Sequence, residues 1–195
     1  MIKAGTGISN NPDSLKAGAE ACEKAMKQTN GKASLIIVFS SIVYDQEKML
    51  QGVRSISKKI PLVGCSDSGE ITNKGPTFKQ LAVMALYSDN IEFSIGIGKG
   101  TEKDSQKAGA MAAEEVKKKA EENPSLFMMF LDGLAENGAA AVRGAQSVLG
   151  KNFPIVGGSA GDDFLFSKTY QYCNDQVLTN SVVGVGFSGR FKVRY

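Results

Sequence analysis

The chain has 195 residues, 42 % hydrophobic and 22 % charged, with 23 basic and 20 acidic side chains and a formal net charge of +3. That balance is the composition of a soluble folded domain, with signs too evenly mixed for a nucleic-acid patch and no apolar run near the ~20 residues that span a bilayer. Histidine and tryptophan are absent, which excludes a Ser-His-Asp triad, a Cys-His dyad, a histidine base and a histidine-held metal or haem.

Met1 to Gly5, at the start of the chain, lacks the apolar segment of a secretion signal. Ile2 to Ile8 is a short strand containing glycine. Asp13, after Pro12, caps a helix that runs through an alanine-rich stretch to about Thr29, and Asn30-Gly31 stops it. Leu35 to Phe39 is an unbroken apolar run, the pattern of a strand covered on both faces. Asp45 to Ser57 is a helix with Met49, Leu50, Val53 and Ile56 on one side. Pro61 to Gly64 is the next strand. Leu81 to Tyr87 and Ile91 to Ile97 are two more, joined by the turn Ser88-Asp89-Asn90.

The order then recurs. A helix covers about Asp104 to Glu121, Leu126 to Leu131 is a strand, and Gly138 to Leu149 is a helix. Pro154 to Val156, Lys168 to Tyr172 and Ser181 to Phe187 are strands, and Arg190 to Tyr195 reads as a terminal strand that suits a following domain. The recurrence is visible in the residues. Asp13-Ser14-x-Lys16-Ala17-Gly18-Ala19 returns 91 positions later as Asp104-Ser105-x-Lys107-Ala108-Gly109-Ala110, and Pro61-Leu62-Val63-Gly64 returns as Pro154-Ile155-Val156-Gly157. Leu81 to Ser88 also resembles Ser181 to Ser188. These matches predict an internal duplication: one domain, α/β in class, made of two β-α-β-α-β-β units over about 1–91 and 92–189, each with a mixed sheet covered by helices.

Ligands of open α/β sheets bind beyond the carboxyl ends of parallel strands. Ser40-Ser41, Cys65-Ser66-Asp67-Ser68-Gly69, Asp132-Gly133 and Gly158-Ser159-Ala160-Gly161-Asp162-Asp163 lie at such ends. Small residues expose backbone N–H groups, and a carboxylate facing a serine-rich turn suits a zwitterion. Ser40, Cys65, Ser66, Asp67, Ser68, Gly158, Ser159 and Asp162 are therefore the candidate ligand-binding residues, with the two turns facing a shared hollow; glycines and serines also serve simple tight turns.

Other chemistries fit less well. Gly157-Gly158-Ser159-Ala160-Gly161 matches G-x-S-x-G, yet a nucleophilic Ser159 lacks a histidine base. Cys65 is a thiolate candidate only if nearby N–H groups lower its pKa, and Cys22 reads as core. Asp67, Asp132, Asp162 and Asp163 are oxygen ligands without the spacing of a known cation loop. Lys117-Lys118-Lys119 sits among Glu114, Glu115, Glu121 and Glu122 and reads as a solvated helix face.

The segments Phe39-Ser40-Ser41…Tyr44-Asp45, Val63-Gly64-Cys65-Ser66-Asp67-Ser68-Gly69-Glu70-Ile71 and Gly157-Gly158-Ser159-Ala160-Gly161-Asp162-Asp163, with the strand from Val182 to Gly189, resemble the FIST N-terminal domain. The resemblance implies an intracellular sensory role in signal transduction, a small ligand such as an amino acid, and a FIST C-terminal domain or signalling output protein as partner. It carries no catalytic residues. Some relatives resemble haem-binding sensors; with no histidine to hold iron, no cofactor is expected here. The expectation is a cytoplasmic sensor of a small polar ligand, without nucleic-acid or membrane partners. The alternatives are an enzyme using Ser159 or Cys65, and a protein-docking module. Labelling of Ser159 or Cys65 separates the first alternative, and an exposed apolar patch marks the second.

Overall fold

Why alanine-rich helices sit beside strands that are apolar on both faces becomes clear in the computed structural model, which describes residues 1–72, 75–135 and 137–193. The elements are β1 (Ile2–Ser9), α1 (Ser14–Gln28), β2 (Leu35–Ser40), α2 (Gln46–Ser57), β3 (Leu62–Ser66), β4 (Glu70–Thr72), β5 (Gly75–Thr77), β6 (Leu81–Ser88), β7 (Ile91–Lys99), α3 (Thr101–Lys119), β8 (Leu126–Leu131), α4 (Gly138–Leu149), β9 (Ile155–Ser159), β10 (Gln171–Cys173), β11 (Gln176–Leu178) and β12 (Ser181–Gly189).

The first sheet has the order β1-β6-β2-β3-β10-β11 and the second β7-β12-β8-β9, while among the described residues β4 and β5 pair only with each other. The parallel pairs are β2 with β3 and β8 with β9. The other ladders of these sheets are antiparallel. The first four strands of one sheet thus share order and orientation with the four of the other.

Period-two alternation sorts each strand's side chains to opposite faces. Ile36 and Val38 turn outward with Leu62 and Val83 and meet Ala17, Ala21, Ala25, Met49 and Val53 of the α1–α2 pair. Leu35 and Ile37 turn inward with Val63 and Cys65 and meet Ile95, Phe130, Val183 and Val185 of the second sheet. On that sheet's far side, Phe127, Met129 and Val182 meet Ala108, Ala112, Val116 and Ala145 of the α3–α4 pair. The molecule is a four-layer α–β–β–α sandwich, and each aliphatic side chain buried in it contributes ~1.5–3 kcal/mol.

Local chemistry sets the helix ends. Asp13 accepts the N–H of Lys16 at 3.1 Å, Asp45 that of Lys48 at 3.1 Å and Asn137 that of Ala140 at 2.9 Å, each holding one of the donors a helix start leaves free. The helix expected from Asp104 begins one turn earlier, at Thr101. Asp104 still acts as a cap: its backbone leaves the helical region (φ −156°, ψ 89°) and its carboxylate accepts the Lys107 N–H at 2.9 Å.

Three expectations need correction. The strand expected over Lys168 to Tyr172 occupies Gln171–Cys173 instead, because the Lys168 N–H is taken by Asp162 rather than by a ladder. Arg190 to Val193 form no strand, and Arg194 and Tyr195 lie outside the described residues. The three-residue strands β4, β5 and β11 were not anticipated, being too short for a periodic signal.

Candidate functional site

Both polar turns come directly after a parallel strand, and the strand geometry that launches them is shared. Gly64 of β3 and Gly157 of β9 have φ of 155° and 140°. A Cβ on either would lie 1.9 Å from a carbonyl oxygen of the next strand, Val38 and Met129 respectively. Only glycine permits that positive φ and close approach together.

The turns touch directly instead of facing a hollow. The Gly161 N–H donates to the Ser66 carbonyl at 2.9 Å, and the Ser66 hydroxyl donates to the Gly161 carbonyl at 2.6 Å. The Ser66 N–H donates to the Tyr170 carbonyl at 2.9 Å, and the Ser66 Oγ accepts the Tyr170 N–H at 2.9 Å. A Cβ on Gly161 would meet Ser68 Oγ at 2.4 Å and the Asp67 backbone at 2.8 Å. The shared hollow expected from the sequence is therefore corrected to a hydrogen-bonded junction, and glycine at 161 is what lets the turns approach.

Four carboxylates surround this junction and differ sharply in how they are satisfied. Asp162 accepts N–H groups from Phe166 at 3.1 Å, Ser167 at 2.6 Å and Lys168 at 3.1 Å. Burial works against its charge, but these donors outweigh burial and lower its pKa. Asp163, in the left-handed region at φ 53°, accepts the Ser41 hydroxyl at 2.5 Å. Glu70 is buried and accepts the Gln80 N–H at 2.9 Å and the Thr77 hydroxyl at 3.1 Å. Asp67 is the exception. Among the described residues its Oδ1 accepts only the Gly69 N–H, at 3.3 Å, and its Oδ2 is buried without a partner. Burial, then the charges of Glu70 and Asp163, push its pKa up to about 7, against the opposing Gly69 N–H.

The sequence-derived candidates divide accordingly. Ser66, Asp67 and Ser68 come together with Gly161 and Asp163. Ser40 is sealed in, its hydroxyl donating to the Ser41 carbonyl at 3.1 Å and its own carbonyl accepting the Asp67 N–H at 3.1 Å. Cys65 is 4 % exposed within the core between the sheets. Burial, and then the nearby Asp67 charge, push its thiol up to about 12, so it holds almost no thiolate at neutral pH. Gly158 and Ser159 lie on the exposed part of β9, with Ser159 Oγ 3.9 Å from the Cβ position of Gly138 at the start of α4. Asp162 is committed to its own loop. Of the possible cation ligands, Asp132 is committed too: it accepts the Thr169 hydroxyl at 2.7 Å and the N–H groups of Leu134 and Asn180, both at 2.9 Å.

Sequence reasoning missed the roles of Ser41, Glu70, Gly161 and Asp163. Ser41 and Asp163 are 122 positions apart, so no local pattern links them. Glu70 is buried to 2 % exposure at the start of β4, a strand too short to leave a periodic signal.

A two-sheet α/β sandwich with a turn-to-turn polar junction is the class of domain that these observations define. The FIST N domain matches residues 34–195, and the chain belongs to that family of sensory and signal-transduction domains. Over 191 residues it is 27 % identical to an uncharacterised protein of Methanocaldococcus jannaschii, covering 91 % of this chain and 36 % of that protein. The chain thus spans about a third of the length of the curated relative it matches. The crystal structure of a cyanuric acid hydrolase from A. caulinodans has a similar fold, with a TM-score of 0.51 at 8 % identity over 97 % of this chain and 72 % of that one. That likeness concerns the fold alone. Among the described residues no helix is long and apolar enough to cross a membrane.

Proposed function

We propose that the chain is a cytoplasmic sensory module, descended from two copies of one ancestral unit, that binds a small polar ligand with a cationic group, such as an amino acid, where its halves meet. One observation carries the reading: Asp67 Oδ2 is buried at the junction with no hydrogen-bond partner among the described residues. A carboxylate so placed gains most from an ammonium group. Glu70 and Asp163 add negative potential, and the Ser68 and Ser159 hydroxyls are the donors for a ligand carboxylate. A ligand that binds one arrangement of the two halves better than another shifts the population toward it. The partner that reads this shift is a FIST C-terminal domain or a signalling output protein.

The docking role has its own support. Phe164, Leu165 and Phe166 are 72 %, 66 % and 76 % exposed, and their loop starts at the junction residues Asp162 and Asp163. Contiguous exposed apolar side chains mark interaction surfaces.

A thermal-shift screen of amino acids and simple amines at pH 8, where Asp67 is charged, tests the ligand reading. At least one amine-bearing compound raises the melting temperature of the native chain and fails to raise that of Asp67→Asn. No shift with any compound, or an equal shift in the variant, would overturn it.

A further inference from the structure

Each sheet has a strand lying parallel to its inner neighbour, β3 in the first and β9 in the second. They match through Val63-Gly64-Cys65-Ser66 and Val156-Gly157-Gly158-Ser159 and in the φ of their first glycines. Their outer edges differ. β3 is continued by β10, with Gln171 opposite Cys65, Tyr172 opposite Gly64 and Cys173 opposite Val63. β9 is the last strand of its sheet among the described residues. On β3 the outward backbone groups include those of Leu62, bonded to Asn174, and Ser66, bonded to Tyr170. The same positions on β9 are Ile155 and Ser159. A bare edge of this kind is a template for another strand.

The molecule also carries an unused hairpin. β4–β5 lies between β3 and β6, just as β10–β11 lies between β9 and β12. The two pair alike: Glu70–Thr77, Ile71–Pro76 and Thr72–Gly75 against Gln171–Leu178, Tyr172–Val177 and Cys173–Gln176. Yet β10–β11 extends a sheet, and among the described residues β4–β5 extends none. The consequence shows at the central residue: Tyr172 is fully buried and donates to Gln46 at the start of α2, whereas Ile71 is 87 % exposed.

Beside that hairpin the core between the sheets runs out to solvent. Ile37, Phe39, Met84 and Met128 line an apolar cavity of about 260 Å³ together with Ile71 and Thr72. One donor hairpin, one acceptor edge and an apolar continuation of the existing interface are left on the same chain.

We propose that two copies of this chain associate by strand addition, the β4–β5 hairpin of one pairing antiparallel with β9 of the other. The register copies the internal precedent: Glu70 opposite Gly158, Ile71 opposite Gly157 and Thr72 opposite Val156. Main-chain hydrogen bonds hold such an added strand and its alternate side chains find pockets. Ile71 then lies against the second copy's α4 as Tyr172 lies against α2. The association does not rest on the ligand reading: Asp67, which carries that reading, takes no part in the strand pairing.

Light scattering on the purified chain over a dilution series, with Ile71→Asp and Ser159→Pro beside the native chain, tests this. The native chain exceeds the mass of one copy at high micromolar concentration and falls to it on dilution. Ile71→Asp weakens association ~10-fold or more, as expected for losing one buried aliphatic side chain. Ser159→Pro removes an outward N–H that an edge strand can spare but an added strand needs. Circular dichroism checks that each variant folds; if Ser159→Pro does not, Ile71→Asp decides alone, since its side chain is exposed in the single copy. Single-copy mass at every concentration, leaving a different protein as the occupant, overturns the proposal. So does association that survives substitution of Ile71.

Discussion

β3 and β9 are nearly the same strand in two settings. All five residues of β3 are buried, while Gly157, Gly158 and Ser159 of β9 are exposed. The difference lies in the neighbour on each strand's outer side: β10 closes the edge of β3 and is absent from β9. Equivalent sequences thus carry different energies according to their surroundings, which makes the two units natural controls for each other.

The hairpins give the largest expected contrast. Tyr172→Ala removes a fully buried ring and should cost ~3–5 kcal/mol, whereas Ile71→Ala at the equivalent position should change stability by less than ~0.5 kcal/mol in the single copy. Urea unfolding at low concentration reads both; similar losses would break the comparison. Next is the junction's unsatisfied acid. Asp67 has its pKa raised from 3.8 to about 7 in the folded chain, so folding takes up a proton between those values. Its contribution is fullest below about pH 4 and is lost as pH rises through about 7. Asp67→Asn should flatten this slope and stabilise the chain at pH 8 by about 2–4 kcal/mol, measured by unfolding across pH.

A smaller loss separates two candidates of the second turn. Asp162→Ala strips the acceptor from the N–H groups of Phe166, Ser167 and Lys168 and should cost ~2–3 kcal/mol, while Ser159→Ala on exposed β9 should cost under ~0.5 kcal/mol. The smallest signal concerns the thiols. Cys22, Cys65 and Cys173 are all free and buried, so a thiol reagent at pH 7 should label the native chain slowly and all three cysteines once it is unfolded. Rapid native labelling of Cys65 would show that its strand is not sealed between the sheets.

Much of this architecture was readable in the residues. The unbroken apolar runs from Leu35 and Leu126 gave away strands covered on both faces, and Asp13, Asp45 and the alanine-rich repeats marked the helices, because capping and period are local properties. The family resemblance rested on other local stretches, the polar turns after Phe39, Val63 and Gly157 and the strand from Val182 to Gly189. The features hidden from the sequence depend on distant partners. Nothing local says that Gly161 meets Ser66, that Asp162 folds its carboxylate into its own loop, or that Asp67 is left unsatisfied. Cys65 looked like a turn residue because its neighbours are polar, yet strand alternation points it into the core. The short β4, β5 and β11 were hidden for the related reason that three residues carry no period, and β10 was expected three residues too early.

The decisive measurement is a calorimetric titration of the most stabilising amino acid into the native chain and Asp67→Asn, at pH 6 and pH 8. Charged Asp67 as the anchor of the ligand's ammonium group requires tighter binding to the native chain at pH 8 than at pH 6, and none to the variant at either pH. Equal affinity for both proteins, or no difference between the two pH values, would contradict it.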